Sequence, residues 1–200
     1  MNIYADLVDV DDGCAPNPFY RVMTFALGQS KIRQEAKVGD AIVGLSKCRL
    51  TQDSQVVYAG IVSDVMLLES YFDDSRYLNK KPSFNPKNSR DWFDQYGDNI
   101  YQKSAGVWKQ HTHLSRSKSD MAEDIQGKHV LICKQYWYFG KKALNLPEKL
   151  QLLMPDTDAF RKNTDELLNQ SFIKWINTYE RGVAGLPTEI ARIKDSDLVS

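Results

Sequence analysis

Apolar and polar positions alternate from Ile3 to Val10, then the chain turns acidic, which predicts an opening strand. Phe19 to Ala26 is again rich in β-prone residues. Ser30 to Lys37 predicts one short helix, with Ser30 as its N-cap and Gly39 near its end. After the Gly39–Asp40 turn, AIVGLSKC predicts a strand. A polar loop covers Thr51 to Gln55, and VVYAGIVSDVMLLE predicts a second, long strand. Gly44 and Gly60 lie inside these strands, where glycine marks a bend or bulge. Short strands bent by glycines and joined by polar loops predict a small curled barrel. Ser70 to Gly106 is irregular, polar and aromatic, and His111 to Gly127 is polar again. His129 to Cys133 predicts a short apolar strand that leads into QYWYFGKKA.

Asn163 to Arg181 predicts a helix. Asn163 with Glu166 three residues later resembles a capping box. Leu168, Phe172, Trp175, Ile176 and Tyr179 recur at spacings of four, three, one and three, which makes one apolar stripe. Gly182 is a fitting stop, and the last dozen residues read as a weakly ordered tail. The pattern as a whole predicts an α+β chain. A small twisted β-barrel with flanking helices fills residues 1–155, and a C-terminal amphipathic helix and tail, 156–200, pack on the same domain.

Composition narrows the function classes. A chain of 200 residues buries roughly 70% of its unfolded surface and needs neither metal nor disulfide to fold. Lys+Arg and Asp+Glu are both 26, so the formal net charge is zero. That argues against a generic nucleic-acid coat, whose affinity comes from cations displacing counterions, but leaves room for a local basic groove. Near-zero charge also leaves self-association, as a homodimer, open. Cys14, Cys48 and Cys133 form no CxxC pair and read as reduced thiols in a cytosol. The opening residues resemble no signal peptide, and no run approaches the roughly 20 apolar residues that span a bilayer. The expected location is cytoplasmic.

No phosphate-binding glycine loop, zinc-protease or hydrolase motif is present, so the candidate chemistry is softer. Asp11, Asp12, Gly13 and Asn17 lie in a rigid loop with two prolines. Their side chains suit ribose hydroxyls, a base amine or a cation, or else simply bond their own turn. Gly97–Asp98–Asn99 precedes Ile100–Tyr101. Asn can read a base edge and Asp can accept from an exocyclic amine, against the plain alternative of an Asp–Asn turn. His111 and His113 share one side of an extended segment, but no third ligand is evident, so a metal is not expected. Trp92, Phe93, Tyr96, Tyr101 and Trp108, with Tyr136, Trp137, Tyr138 and Phe139, offer rings for base stacking or for core packing. In a strand, Tyr136 and Tyr138 face away from Trp137 and Phe139. Lys31, Arg33, Arg90, Lys103, Arg116 and Lys118 suit phosphates or a solvated surface.

The stretch from Asp11 to Phe19 resembles the opening signature of the second numbered family of nucleotide modification associated domains. The likeness continues at Thr24, Ala26, Ile32–Arg33, Ala36 and Val38–Gly39–Asp40. It resumes at Gly97–Asp98–Asn99–Ile100–Tyr101, His129–Val130–Leu131–Ile132, Tyr138–Phe139–Gly140 and Pro147. It departs from the family pattern at Met23, Gly28 and Gln29–Ser30, so it implies no thiol role there. The resemblance implies a setting in phage or bacterial DNA base hypermodification and assigns no catalytic residue or cofactor. The Gly39–Asp40 turn feeding a strand is also similar to barrels of the PUA, ASCH and EVE type, an analogy at the level of fold. The expected function is therefore to bind, or help modify, a nucleotide or modified DNA. Asn17, Arg33, Asp40, Asn99, Tyr101, Trp137 and Tyr138 are the expected ligand-binding residues. If the chain is an enzyme, Asp11 or Asp98 with His111 would move protons. The alternative is a protein-interaction factor in phage–host conflict, using the 70–127 surface.

Overall fold

The computed structural model describes residues 1–47, 53–85, 92–155 and 160–189. Cys48, at the end of one expected strand, the first two residues of the loop expected over Thr51 to Gln55, Arg90 and the tail beyond 189 lie outside the described residues. In chain order the strands are β1 (Ile3–Leu7), β2 (Met23–Phe25), β3 (Ala41–Lys47), β4 (Ser54–Ile61), β5 (Asp64–Leu67) and β6 (Tyr101–Ser104). They continue with β7 (Val107–Gln110), β8 (His129–Cys133), β9 (Gln135–Tyr138), β10 (Leu144–Asn145), β11 (Arg161–Asn163) and β12 (Gly182–Val183). The α-helices are α1 (Ser30–Glu35), α2 (Leu68–Tyr71), α3 (Met121–Gln126) and α4 (Glu166–Ile176), with short 3-10 turns between them.

The main sheet runs β11-β1-β3-β4-β9-β12, with β10 beside one end of β4. β1 and β3 are parallel, while β3, β4 and β9 are antiparallel. Because side chains alternate along a strand, each face gathers its own core. Ile3, Ala5, Val43, Leu45, Trp137 and Phe139 face α4, whose Phe172 and Ile176 are buried there. Tyr4, Ile42, Tyr58, Tyr136 and Tyr138 face the smaller sheet β2-β8-β5 and α1. The separation of Tyr136 and Tyr138 from Trp137 and Phe139 follows the alternation, and both pairs are buried.

The fold is mixed α and β, but among the described residues no sheet closes into a barrel, so the PUA-like barrel is corrected. The glycines explain the difference. Gly44 does mark a bulge, where the β3–β4 register shifts. Gly60, however, is not a closing bend. A Cβ there would stand 2.6 Å from Met23 Cε and 2.9 Å from Cys133 Sγ, so Gly60 is the slot that lets the second sheet pack flat on the first. The long strand expected after residue 55 also breaks at Val62–Ser63, where the chain leaves the main sheet and starts β5 in the smaller one. Two layers stack where one layer was expected to curl.

Helix boundaries moved for local reasons. Ser30 is the first residue of α1, and Gln29 takes the cap position in a left-handed conformation (φ 39°). Asn163 ends β11, paired with Ile3, so Asp165 caps α4 instead and accepts from the Leu167 and Leu168 amides. The 70–106 stretch expected as a loop is largely packed. Tyr71, Tyr77, Tyr96, Ile100 and Tyr101 form a third core with Leu27, Val130 and Ile132.

That third region is held by buried polar groups. The fully buried Lys80 ammonium shares its three N–H groups among four oxygens, Asn17 O (3.0 Å), Asn17 Oδ1 (2.7 Å), Phe19 O (2.7 Å) and Val22 O (2.7 Å). Burial pushes its pKa down to about 7, and the neighbouring Asp98 carboxylate opposes that shift. On the tyrosine face of the main sheet, Asp6 Oδ2 accepts from Gln29 Nε2 (2.8 Å) and Tyr58 OH (3.1 Å). Burial nevertheless raises the Asp6 pKa from 3.8 to about 6, helped by the nearby charge of Asp9.

Two outcomes follow for stability. Lys80→Met removes the ammonium from all four oxygens, of which Asn17 O keeps the Thr24 amide at 3.0 Å, and is expected to cost about 3–5 kcal/mol in urea unfolding. A loss under 1 kcal/mol would show that these oxygens are satisfied without it. For Asp6, the folded state holds its proton more tightly than the unfolded state. The group's contribution is therefore complete below about pH 4 and is lost as the pH rises through 6. Asp6→Asn is expected to gain on the wild type by up to roughly 3 kcal/mol between pH 4 and pH 7. Parallel stability–pH curves for the two proteins would refute the shift.

Candidate functional site

A cleft of about 410 Å³ opens where the chain leaving β1 crosses the ends of β3 and β4 and meets the turn after β9. Val8 continues beside β3, its amide donating to Leu45 O at 2.7 Å, and the acidic segment then turns at Asp11. Asp11 is only 5% exposed, and its side chain is fixed on both sides. Tyr138 OH donates to Asp11 Oδ1, and the Thr188 amide donates to Oδ2 at 3.2 Å. The Glu189 amide and Thr188 Oγ1 reach the Asp11 carbonyl at 2.9 and 3.2 Å, which ties the 182–189 segment across the cleft. Lys47 and Lys141 stand on the walls as exposed cations, opposed by Asp9 and Glu189, with Ser46 and Gln55 between.

Electrostatics sets this floor apart from an ordinary surface carboxylate. Burial raises the Asp11 pKa, and the hydrogen bonds from Tyr138 and Thr188 partly offset the rise. Burial also pushes the Tyr138 phenol up, reinforced by the Asp11 charge. Tyr138 lies opposite Tyr58 across the β4–β9 pair, and Tyr58 donates to Asp6. A line of Asp6, Tyr58, Tyr138 and Asp11 thus crosses the buried face of the sheet. Chemically, the floor offers a carboxyl that accepts from a hydroxyl or amine, or gives up a proton it holds more tightly than usual. The two lysines suit an anion such as phosphate.

The turns at 11–17 and 97–101 meet. Asn17 Nδ2 donates to Tyr96 O at 2.6 Å, and the Asn99 amide donates to Lys80 O at 3.0 Å. They enclose the Lys80 ammonium rather than a hollow. Gly97 is required there, because a Cβ would stand 2.1 Å from the Lys80 carbonyl oxygen. Asp98 is fully buried and accepts from Tyr71 OH at 2.8 Å, and Asn99 Nδ2 donates to Tyr71 O and Tyr77 O. Burial raises the Asp98 pKa, with Lys80 opposing it. Asp98 therefore braces the Tyr71 side chain, and Asn99 holds the backbone at Tyr71 and Tyr77.

The other expected residues divide the same way. Arg33 is fully buried and donates to Gly28 O (2.7 Å), His129 O (2.9 Å) and Asp124 O. Burial lowers its pKa to about 10, with Asp124 opposing. Tyr101 OH donates to Asp124 Oδ2 at 2.7 Å. Asp40 accepts from the Asn2 and Lys37 amides and fixes the turn before β3. Trp137 is buried on the α4 face, with Nε1 donating to Tyr179 O at 3.1 Å. His111 is half-buried, stacks on Phe72 at 4.6 Å and faces Gln102 Oε1 at 3.1 Å. Burial, then the charges of Lys109 and Lys81, lowers its pKa. No hydrogen bond or ion pair among the described residues joins Asp11, Asp98 and His111. Of the expected set, Asp11 lines the cleft and Tyr138 supports it from behind.

Sequence reasoning missed Lys47, Lys141, Gln55 and Lys80. The two cleft lysines sit in unremarkable polar stretches and meet only because β3 and the turn after β9 end side by side. Lys80 lies in a run of three polar residues, and nothing in that run marks it as buried. Among the described residues, no group of three or more His, Cys, Asp or Glu is arranged to hold a metal. No helix among them is long and apolar enough to cross a membrane.

Comparison with known proteins adds a family. No curated protein and no solved structure matches the chain. The family model described as nucleotide modification associated domain 2 matches residues 1–194, and the chain belongs to that family.

Proposed function

We propose that the cleft over Asp11 binds a nucleotide, free or within DNA, with its phosphate on Lys47 and Lys141 and its base or sugar over Asp11. The observation that carries the reading is the buried Asp11 carboxyl, held by Tyr138 and Thr188 at the base of a cleft walled by two lysines. A carboxyl fixed at both oxygens is preorganised to accept from a hydroxyl or exocyclic amine, and cations at the rim suit phosphate. Family membership supplies the nucleotide-modification context. We extend that context to DNA modification in a bacterial or phage-infected cytoplasm. Binding is the primary role. Proton transfer by Asp11 is the additional step if turnover occurs, since its raised pKa suits an acid. A pure protein-docking role has less support, because the floor of this cleft is polar and charged.

Titration of the full chain with adenosine 5′-monophosphate and its guanosine, cytidine and thymidine counterparts tests this. At least one is expected to bind, more weakly as salt rises. Asp11→Asn keeps the shape but removes the charge, and the double change of Lys47→Ala with Lys141→Ala removes the cations. Each is expected to weaken binding about 10- to 100-fold. If no nucleotide binds the wild type, or if neither variant alters binding, the cleft is not the site.

A further inference from the structure

A second depression, of about 500 Å³, opens beside the same stretch of chain: Asp6 and Leu7 line it, where Val8 and Asp9 line the cleft. Its polar wall is Asp6 and Gln29, with Ser30 beside them. The Phe160 ring stands on it, packed against Tyr4 with centroids 6.1 Å apart. Among the described residues Lys31 is the one cation on it, beside the carboxylates of Asp6 and Glu123.

The hydrogen bonds leave an unusual remainder. Gln29 Nε2 and Tyr58 OH both donate to the same oxygen, Asp6 Oδ2. Asp6 Oδ1 accepts no hydrogen bond from the described residues. Gln29 Oε1 is buried and has no hydrogen-bond partner among the described residues. Buried acceptors are rarely left without a donor, so an orphan on a side chain that lines a depression points to a donor that enters there. Two vacant acceptors on adjoining side chains, beside an aromatic ring, ask for a flat ligand with two neighbouring N–H donors.

Among the common bases, guanine alone has that edge, with N1–H next to the N2 amine. Adenine and cytosine each put a ring acceptor beside their amine, and thymine and uracil flank their single N–H with two carbonyls. Either pattern would press an acceptor against Gln29 Oε1 or Asp6 Oδ1 and leave it unpaired, which costs more than a missing contact.

We propose that this depression is a guanine-reading subsite, in which Gln29 Oε1 and Asp6 Oδ1 accept from the N1–H and N2 amine while Phe160 stacks on the ring. The subsite rests on the nucleotide reading of the neighbouring cleft for its biological sense: the cleft takes one nucleotide and this depression reads a second base. It does not rest on that reading for its geometry. Tyr58 positions Asp6 by occupying the carboxylate oxygen turned away from the ligand.

Calorimetric titration of the full chain with nucleosides, which carry no phosphate, tests the subsite. It is run at pH 8, where Asp6 is ionised. Guanosine is expected to bind. Inosine, which lacks the N2 amine, is expected to bind about tenfold more weakly, equivalent to about 1.4 kcal/mol, and adenosine more weakly still. Gln29→Ala removes the orphan acceptor, and Phe160→Leu keeps the apolar packing on Tyr4 but removes the ring. Each is expected to weaken guanosine binding at least about tenfold. Thermal unfolding checks that both variants are folded, and Phe160→Leu carries the test if Gln29→Ala is not. The same variants titrated with adenosine 5′-monophosphate report on the cleft. Loss of guanosine binding with adenylate binding retained supports the subsite. Guanosine binding unchanged in both variants, or absent in the wild type, overturns it whatever adenylate does. Guanosine binding as expected, with none of the four monophosphates binding in a way that Lys47→Ala with Lys141→Ala weakens, overturns the cleft reading and leaves the subsite standing.

Discussion

A single buried ammonium organises the half of the molecule that carries the family-like motifs. Lys80 reaches across some sixty residues of chain to gather the carbonyls of Asn17, Phe19 and Val22 and the Asn17 side chain. Burying a charge is costly unless it is surrounded by acceptors, and here four oxygens and the nearby Asp98 carboxylate meet that need. The consequence is specificity of shape. The 11–19 loop cannot shift without stranding the charge, and Gly97 must stay glycine so that the backbone can lie against Lys80. Asp11 and Asp12 begin the loop that this interaction fixes, so the cleft floor inherits its position from a contact deep in the core.

The second constraint is the tyrosine face of the main sheet. Tyr58 and Tyr138 face each other across β4 and β9 and end on carboxylates at opposite ends, Asp6 and Asp11. Phenols donate one hydrogen bond and bury a large apolar body, so they deliver a fixed donor to a carboxyl without opening the core to water. Each of the two depressions therefore has a carboxyl at its base whose orientation is set from behind by a tyrosine. The sheet places both on the same stretch of chain, residues 6–11, which is the physical basis of the proposal that two nucleotide units are recognised side by side.

Much of this was legible in the sequence, and the rest was hidden for specific reasons. The apolar stripe of α4, the strands after Gly39–Asp40 and the opposed faces of Tyr136–Phe139 follow from periodicity, which burial enforces directly. Gly60 misled because a glycine that admits a neighbouring sheet and a glycine that bends a strand look identical in a sequence. The DDGCAPNP and GDNIY motifs do meet, yet Asn17 and Asn99 turn inward to satisfy backbone, Asp98 turns inward to the Tyr71 hydroxyl, and of these only Asp11 lines the cleft. The same residue types that read a base also complete turns, and the choice depended on Lys80, which carries no local signal. Lys47, Lys141, Asp6 and Gln29 were invisible because each gains its role from a partner far away in the chain.

The central claim is that the Asp11 cleft receives a nucleotide. Amide chemical shifts of the labelled full chain, followed while a nucleoside monophosphate is added, test it most directly. The expected result is a saturating set of changes centred on Ser46, Lys47, Gly140, Lys141 and Thr188, the residues around the Asp11 carboxyl. Changes confined to the exposed β6–β7 hairpin, or none up to millimolar nucleotide, would contradict it.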